Sequence, residues 1–246
     1  MAGGRDSTER FGDRAIDYAS FRPGYPDRAI DELLAGLGSP AALAVADVGA
    51  GTGISARAIA ERGARVIAIE PNAAMREAAH PHARVSWQDG TGEVTHLEDA
   101  SVDVVCACQA FHWFATAKAI EEFRRISRRR AALLQNERDE RDPFTRAFGD
   151  VVRAYATDDT EALRIAALET FSAFPNAGVS RSSYGHSQRF DLEALIGRAA
   201  SASYLPKTGP AAESLHAELT SLFARFAGGA PALDMALVTH LIRADW

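Results

Sequence analysis

A glycine-rich segment and an acidic residue stand at a distance suited to nucleoside binding. Residues 49–53 read Gly-Ala-Gly-Thr-Gly, and Glu70 follows Gly49 by 21 positions. Glycines permit a tight turn and let a ligand approach main-chain N–H groups where a helix begins. The carboxylate of Glu70 can accept hydrogen bonds from ribose hydroxyls. Ile54 occupies the place of the last glycine in a dinucleotide fingerprint, so the pattern favours an adenosine-type ligand without a pyrophosphate.

Strand-like and helix-like patterns alternate along the chain that must position these residues. The first half predicts strands over residues 44–49, 65–70, 84–88, 102–108 and 131–135, and helices over 27–37, 54–62, 72–79 and 116–126. After residue 136, the pattern predicts a long helical stretch over 143–174, strands over 181–190 and 235–243, and helices over 192–203 and 211–226. Such alternation is typical of a mostly parallel sheet covered on both faces.

Composition excludes several classes of protein. The 246 residues are 47% hydrophobic and 24% charged, with a formal charge of −6, which disfavours nucleic acid as a partner. We expect no membrane span and no secretory signal, and therefore a cytoplasmic location. The two cysteines, Cys106 and Cys108, lie in one apolar run, so we interpret them as inert buried thiols and expect no metal site.

Five arginines lie between residues 124 and 130, at the end of a predicted helix. The dipole of a helix favours cations at its carboxyl end, and we interpret these arginines as solvated side chains rather than as an anion site. Residues 127–130 (Ser-Arg-Arg-Arg) are expected to form the turn into the fifth strand.

Three motifs make the sequence resemble the class I S-adenosylmethionine-dependent methyltransferases that act on small molecules. They are Tyr18 with residues 22–26 (Arg-Pro-Gly-Tyr-Pro), residues 45–53 with 69–72 (Ile-Glu-Pro-Asn), and residues 109–114 (Gln-Ala-Phe-His-Trp-Phe). The resemblance implies an α/β fold with a Rossmann-like, doubly wound, seven-stranded and mostly parallel sheet, an antiparallel final strand and a helical lid. It implies one domain over 1–246, divided into an N-terminal lid (1–40), a cofactor-binding core (41–136), a helical substrate lid (137–180) and closing strands and helices (181–246).

The same resemblance implies S-adenosylmethionine as the cofactor and suggests which residues bind it. The predicted cofactor-binding residues are Tyr18, Arg22, Asp47, Gly49, Gly51, Gly53, Glu70, Pro71, Met75, Thr91, Gly92 and Gln109. The glycine turn would hold the methionine part, Glu70 the ribose, and Pro71 with Met75 the adenine. Thr91 stands where many relatives carry an acid, so Asp89 is an alternative partner for the adenine amine.

Few side chains are expected to take part in the chemistry. A sulfonium already activates its methyl group, so positioning and exclusion of water supply most of the rate. His112 is the candidate base, with a role in shaping its loop as the alternative. Asn136, Tyr184 and Ser203 are polar candidates near the mouth of the crevice, and ordinary loop polarity would also account for them.

The leading hypothesis is methyl transfer to a small metabolite in secondary metabolism, by a monomer or a homodimer. A second hypothesis keeps the cofactor but lets its α-amine attack its own γ-carbon, which yields azetidine-2-carboxylate and methylthioadenosine. A third is a non-enzymatic module that binds the cofactor. A nicotinamide-dependent oxidoreductase is disfavoured by Ile54 and by the absence of a recognisable second catalytic motif.

Overall fold

The fold was analysed in a computed structural model, which describes residues 21–246; Tyr18 lies outside the described residues. The strands are β1 (Ala44–Val48), β2 (Arg65–Ile69), β3 (Val85–Gln88), β4 (Val102–Cys108), β5 (Ser127–Arg138), β6 (Gly178–Phe190) and β7 (Leu233–Asp245). The helices are α1 (Asp27–Leu34), α2 (Ile54–Glu61), α3 (Ala73–Glu77), α4 (Ala117–Ile126), α5 (Pro143–Tyr155), α6 (Thr160–Ser172), α7 (Leu192–Ala200) and α8 (Pro210–Ala227). Short 3₁₀ turns occupy Pro40–Ala42 and Phe111–Trp113.

The strands form one seven-stranded sheet in the order β3-β2-β1-β4-β5-β7-β6. β1 pairs in parallel with β2 and β4, β2 with β3, and β4 with β5. β7 lies between β5 and β6 and is antiparallel to both. The predicted fold class, with its antiparallel final strand, is confirmed. The carboxyl ends of β1, β2, β4 and β5 therefore share one edge of the sheet.

Both faces of the central strands are covered by helices. Ile30 of α1 and Ile59 of α2 belong to the core on one face, whereas Phe123 of α4 and Phe171 of α6 belong to the core on the other. A third core joins α5, α7 and α8 to the β6–β7 pair. All five residues of β1 are buried, which explains the continuous apolar runs, because a strand covered on both faces has no solvent side to mark with polar residues.

The predicted helical stretch over residues 143–174 is two helices, α5 and α6. Residue Ala156 is extended and ends α5. The Asp158 carboxylate then accepts a hydrogen bond from the Thr160 backbone N–H at 3.1 Å, where α6 begins. The prediction of one continuous stretch was therefore wrong at residues 156–159, because local side-chain bonding to the backbone competes with helix continuation there.

The expectation for residues 127–130 was also wrong. β5 begins at Ser127, directly after α4, so these residues form strand rather than a turn. Arg130 is buried, pairs with the Asp245 carboxylate, and donates to the carbonyl oxygens of Leu33 at 2.7 Å and Ala35 at 2.9 Å. It therefore ties the end of α1 to the sheet instead of being solvated. Among the helices of residues 21–246, none combines the length and apolarity that a bilayer crossing demands.

Candidate functional site

The glycine turn and Glu70 form one hydrogen-bonded unit at the carboxyl edge of the sheet. The turn follows β1, and Glu70 is the first residue after β2. The Gly51 backbone N–H donates to Oε2 of Glu70 at 2.9 Å, and the Asn72 N–H donates to Oε1 at 2.9 Å. The sequence spacing thus corresponds to direct contact: the acid that ends β2 holds the turn that follows β1.

Glu70 is buried, with 9% of its surface exposed. Burial raises the pKa of its carboxyl group, and the N–H donors of Asn72 and Gly51 counteract this rise. Both donors occupy only part of the accepting capacity of the two oxygens. A ribose placed against this carboxylate would therefore find acceptor positions still open.

Backbone conformation and crowding require glycine in this region. Gly49, Gly51 and Gly53 have φ of 71°, 58° and 77°, in the left-handed region that disfavours side chains. A Cβ on Gly49 would also lie 2.6 Å from Cβ of Ala110. Other residue types would be strained at these positions. Because glycine has no side chain, the backbone of the turn also stays uncovered.

Asp47 lies fully buried on β1, beneath the turn. The Ser55 hydroxyl donates to its Oδ2 at 2.6 Å, and Sγ of Cys106 lies 3.7 Å from its Oδ1. Burial raises the pKa of Asp47 to about 6, against the lowering effect of the Ser55 hydrogen bond. The structure therefore places Asp47 in the floor of the site, behind the glycine turn.

Asp47, Cys106 and Cys108 together offer three ligand atoms within 4.8 Å of one another. The pKa of the Cys106 thiol is raised well above its usual value, by its contact with Cys108 and by burial. For Cys108, the contact with Cys106 lowers the pKa, but burial and the Asp47 charge outweigh it. Both thiols are therefore protonated at neutral pH, and Cys106 donates to Asp47.

Gln109 follows β4 and spans two strand ends. Its Nε2 donates to the Asn136 carbonyl at 2.8 Å, and its backbone N–H donates to Leu134 at 2.8 Å. Its φ of 59° is rare for a residue with a side chain. Its Oε1 is buried and has no hydrogen-bond partner among residues 21–246. An unsatisfied buried acceptor is costly, so this oxygen fits a ligand that brings a donor such as an amine.

Gln109 lines a small cavity of about 20 Å³ at the glycine turn. The other lining residues are Arg22, Pro23, Tyr25, Gly49, Ala50, Ile54, Ser55 and Cys108. Thr52, in the same turn, has a buried hydroxyl with no partner in the described part of the chain. These unsatisfied polar atoms fit the amino-acid end of the predicted cofactor. The cavity has room for only about one water molecule, so a ligand that reaches Gln109 needs more space than the structure leaves there.

His112 lies in the 3₁₀ turn after β4 and is buried, with its ring centre 4.8 Å from that of Trp113. Burial lowers the pKa of its imidazole well below the usual value, and the charges of Arg164 and Arg22 add to the effect. Its Nδ1 has no hydrogen-bond partner within residues 21–246. The imidazole is therefore neutral at pH 7, and it is a weaker base than an exposed histidine.

A much larger cavity, of about 820 Å³, lies at the end of β5. It is bounded by residues 136–140 on one side and by α5, α6 and the break between them on the other. Arg198 of α7 and Tyr204 complete its wall. Pro23 lines both this cavity and the smaller one. The space exceeds the volume of a small metabolite.

The structure brings only one of the three polar candidates into this cavity. Asn136 lines it, but its Nδ2 donates to the Gly24 carbonyl at 2.9 Å and its Oδ1 accepts from the Thr239 hydroxyl. Tyr184 lies on β6 opposite Thr239 and packs against the core of α1 and α2. Ser203 lines neither of the two cavities described. Asn136 therefore holds the segment 21–26, and catalytic roles for all three stay predictions.

The remaining predicted cofactor residues differ in how far they are buried. Met75 of α3 is buried, and Pro71 is half-buried beside Glu70. Thr91 is exposed and its hydroxyl accepts from the Val94 N–H at 3.1 Å. Gly92 is packed so closely that a Cβ would lie 2.2 Å from the Phe114 ring. The adenine contacts suggested for these residues stay predictions.

Arg22 does not lie free beside the turn. Its Nε donates to the Ser201 hydroxyl at 3.1 Å and its Nη2 to the Ser201 carbonyl at 3.0 Å. The expected cofactor contact of Arg22 thus stays a prediction. Ser201, a neighbour of the predicted Ser203, is the serine that holds the first described residues of the chain.

Sequence reasoning predicted Asn136 and, as a substrate lid, the segment 137–180, but it singled out none of the charged residues that line the larger cavity. Arg138 closes β5, so its position at a strand end was a readable signal. Arg198 and Tyr204 gave no such signal, because they lie 60 or more positions further along the chain, in α7 and in the segment after it. Ser55 was missed as well, although it donates to Asp47 and lines the small cavity.

Comparison with known proteins connects this geometry to a family. Residues 46–134, from β1 to β5, match the family model described as a methyltransferase domain. A methyltransferase of Mycobacterium tuberculosis is 37% identical over 205 residues, which cover 81% of this chain and 79% of the relative. A methyltransferase of Schizosaccharomyces pombe is 27% identical over 213 residues, with 84% of both chains covered.

A solved structure has the same architecture. A protein of Anaeromyxobacter dehalogenans, described as a type II methyltransferase, superimposes with a TM-score of 0.66 at 25% identity, covering 91% of this chain and 97% of that chain. The relatives compared are named methyltransferases, which does not favour the cyclase, the binding module or the oxidoreductase. The chain therefore belongs to the methyltransferase family of transferase enzymes.

Proposed function

We propose that the protein transfers the methyl group of S-adenosylmethionine to a small metabolite bound in the 820 Å³ cavity. The observation that carries the proposal is the hydrogen-bonded unit of Gly51 and Glu70, joined at 2.9 Å. This unit would offer the ribose a hydrogen-bond acceptor beside the main-chain turn. The family relationship supports the reaction class, and these residues support the nucleoside.

The cofactor, once bound, supplies an electrophilic methyl group on a sulfonium. The chain's own task is to hold two molecules in line and to exclude water. Gln109 would orient the amino-acid end through its unsatisfied Oε1. Glu70 would hold the sugar, and Met75 with Pro71 would enclose the base. Phe114, packed against Gly92, would keep water from this side of the site.

A strong base is not part of this proposal. The pKa of His112 lies well below its usual value because of burial, and efficient base catalysis needs a pKa near the working pH. We infer that His112 shapes the loop after β4 and that the acceptor presents a nucleophile needing little activation. A role in secondary metabolism stays a prediction.

The proposal assigns functions to the segments of the single domain. Residues 1–40 would cover the cofactor, 41–136 would bind it, 137–180 would enclose the acceptor, and 181–246 would complete the sheet and the cavity wall. The contacts of Arg22 and Gly24 with Ser201 and Asn136 support the first assignment. α5 and α6 support the third, because both line the large cavity.

Calorimetry with S-adenosylhomocysteine tests the cofactor assignment. In Glu70→Gln, we expect the affinity to fall by at least tenfold, because hydrogen bonds to a charged acceptor contribute about 1.5–3 kcal/mol. Glu77→Gln removes the same charge from an exposed position on α3 and is the matched control. Equal affinities in wild type and Glu70→Gln would remove the main support for the proposal.

A second measurement separates a sugar contact from general damage to the turn. Wild type should bind methylthioadenosine more tightly than its 2′-deoxy form, and Glu70→Gln should lose that preference. Incubation with S-adenosylmethionine alone then tests the reaction class. Methylthioadenosine formed without an acceptor would contradict methyl transfer and favour the cyclase.

A further inference from the structure

The wall of the large cavity carries an unusual density of charge. Its guanidinium groups belong to Arg138, Arg153, Arg164 and Arg198, and its carboxylates to Glu137, Glu140, Asp158, Asp159 and Glu161. Charged side chains at a cavity wall are costly unless they are paired. Which of them are paired within the protein therefore indicates what the cavity can bind.

Two of the arginines are paired with carboxylates of the wall or nearby. Nη1 of Arg153 lies 2.7 Å from Glu140, and its Nη2 lies 2.8 Å from Asp150. Nε of Arg138 lies 3.3 Å from Glu140, and its Nη2 lies 3.8 Å from Glu161. These two guanidinium groups are compensated internally and form a fixed charged frame at the α5 side of the cavity.

Arg198 differs from them. It lies on α7, is half-buried, and has no carboxylate of residues 21–246 within ion-pair distance. Burial lowers the pKa of its guanidinium to about 9, and the charge of Arg22 adds to this effect. The group remains protonated at neutral pH. A fixed positive charge thus faces the cavity without a counter-charge from the described protein.

Tyr204 stands on the same wall. Burial alone would raise the pKa of its hydroxyl, but the charges of Arg164, Arg198 and Arg22 lower it below its usual value. The hydroxyl is a hydrogen-bond donor in a region of positive potential. A guanidinium and a hydroxyl on one cavity wall are both donors from which a carboxylate can accept hydrogen bonds.

We propose that the acceptor carries a carboxylate that binds Arg198 and Tyr204 in the large cavity, so that the enzyme methylates a small organic acid; this inference rests on the proposed function. The Arg198 guanidinium, which forms no ion pair with a carboxylate of residues 21–246, matches one negative charge. A phosphate dianion is disfavoured relative to a carboxylate, because repulsion from the five carboxylates that share the wall grows with the charge of the ligand. Asn136, which lines the cavity and accepts from Gln109 through its carbonyl, connects this anchor to the cofactor side.

Calorimetry on the protein saturated with S-adenosylhomocysteine tests whether Arg198 binds a carboxylate. It compares the affinity of each acid with that of the amide of similar shape. The pairs are succinate with succinamide, 3-phenylpropionate with 3-phenylpropionamide, and octanoate with octanamide; phenyl phosphate is the phosphate probe. We expect at least one acid to bind tenfold or more tightly than its amide and more tightly than phenyl phosphate. No acid preference in any pair, or tighter binding of phenyl phosphate, would overturn the inference.

Substitutions test whether the preference for acid over amide depends on Arg198. Arg198→Met should abolish the acid preference, and Arg198→Lys, which keeps the charge but loses the planar fork, should retain part of it. Arg189→Met, on the exposed face of β6, is the matched control and should leave the preference unchanged. If Arg198→Met does not fold, Arg198→Lys still decides: a full, undiminished preference in that variant contradicts the anchor.

The last arm separates this inference from the proposed function. Arg198→Met should bind S-adenosylhomocysteine within twofold of wild type; a loss of tenfold would mean that the arginine serves the cofactor's own carboxylate and would overturn the inference. Wild type that binds S-adenosylhomocysteine but prefers no acid contradicts only the acid anchor. Wild type that does not bind S-adenosylhomocysteine contradicts the proposed function itself.

Discussion

Replacing the buried acid beneath the glycine turn should stabilise the protein in a defined pH range. Asp47 is fully buried, and its pKa is raised from 3.8 to about 6, chiefly by burial. Because one pKa unit corresponds to about 1.4 kcal/mol, the ionised carboxylate costs the folded state on the order of 3 kcal/mol. Asp47→Asn removes that charge and keeps an oxygen that can accept from the Ser55 hydroxyl.

The sign follows from the two pKa values of Asp47. The folded state binds the proton more tightly than the unfolded state does, so wild-type stability falls as the pH rises from about 4 to about 6 and then levels off. Asp47→Asn lacks this dependence. We therefore expect the variant to exceed wild type by on the order of 3 kcal/mol at pH 7.5, and the difference to disappear towards pH 4.

Urea denaturation of both proteins at several pH values between 4.5 and 7.5 gives the difference in unfolding free energy directly. Groups other than Asp47 titrate in both proteins and cancel in that difference. Asp31→Asn, an exposed acid on α1, is the control and should change stability by less than about 0.5 kcal/mol at every pH. A difference between Asp47→Asn and wild type that stays constant with pH would refute the reasoning.

Three further expectations concern other parts of the molecule. Gly92→Ala should lower stability by about 1–3 kcal/mol in urea denaturation, because its methyl group would lie 2.2 Å from the Phe114 ring; a neutral effect would contradict this packing. The His112 imidazole should protonate only well below pH 6.5 in an NMR titration, since burial lowers its pKa; protonation near pH 6.5 would contradict that. Arg130→Met should cost about 2–4 kcal/mol, because it leaves Asp245 and two carbonyl oxygens at the end of α1 without their donor; unchanged denaturation midpoints would refute it.

Sequence alone was sufficient where a local signal has a single structural meaning. The Gly-x-Gly-x-Gly turn and the acid 21 positions later predicted two parts of one nucleoside site, and the structure joins them by the hydrogen bond from Gly51 to Glu70. The continuous apolar runs, which alternate with helical segments along the chain, predicted the sheet, because strands covered on both faces leave that pattern.

It was insufficient where side chains meet across the fold. The break between α5 and α6 was readable in residues 157–160 (Thr-Asp-Asp-Thr), which can cap a helix, but helical spacing on both sides obscured it. The burial of Arg130 depends on Asp245, which lies 115 positions away. The role of Arg198 likewise depends on residues that are distant in sequence and lie beside α7 only in the fold. Contacts of this kind follow no regular sequence spacing, so they cannot be predicted from the sequence.

The segment that contains Pro23 forms a partition between the two cavities. Pro23 contributes to both spaces, while Arg22 is anchored to Ser201 and Gly24 to Asn136. Thermodynamic linkage makes any energetic influence between two ligands mutual and equal in size. If a ligand on one side moves this partition and so changes the affinity for the ligand on the other side, the second ligand changes the affinity for the first by the same factor. The binding of cofactor and the binding of acceptor would then be coupled through three residues of main chain.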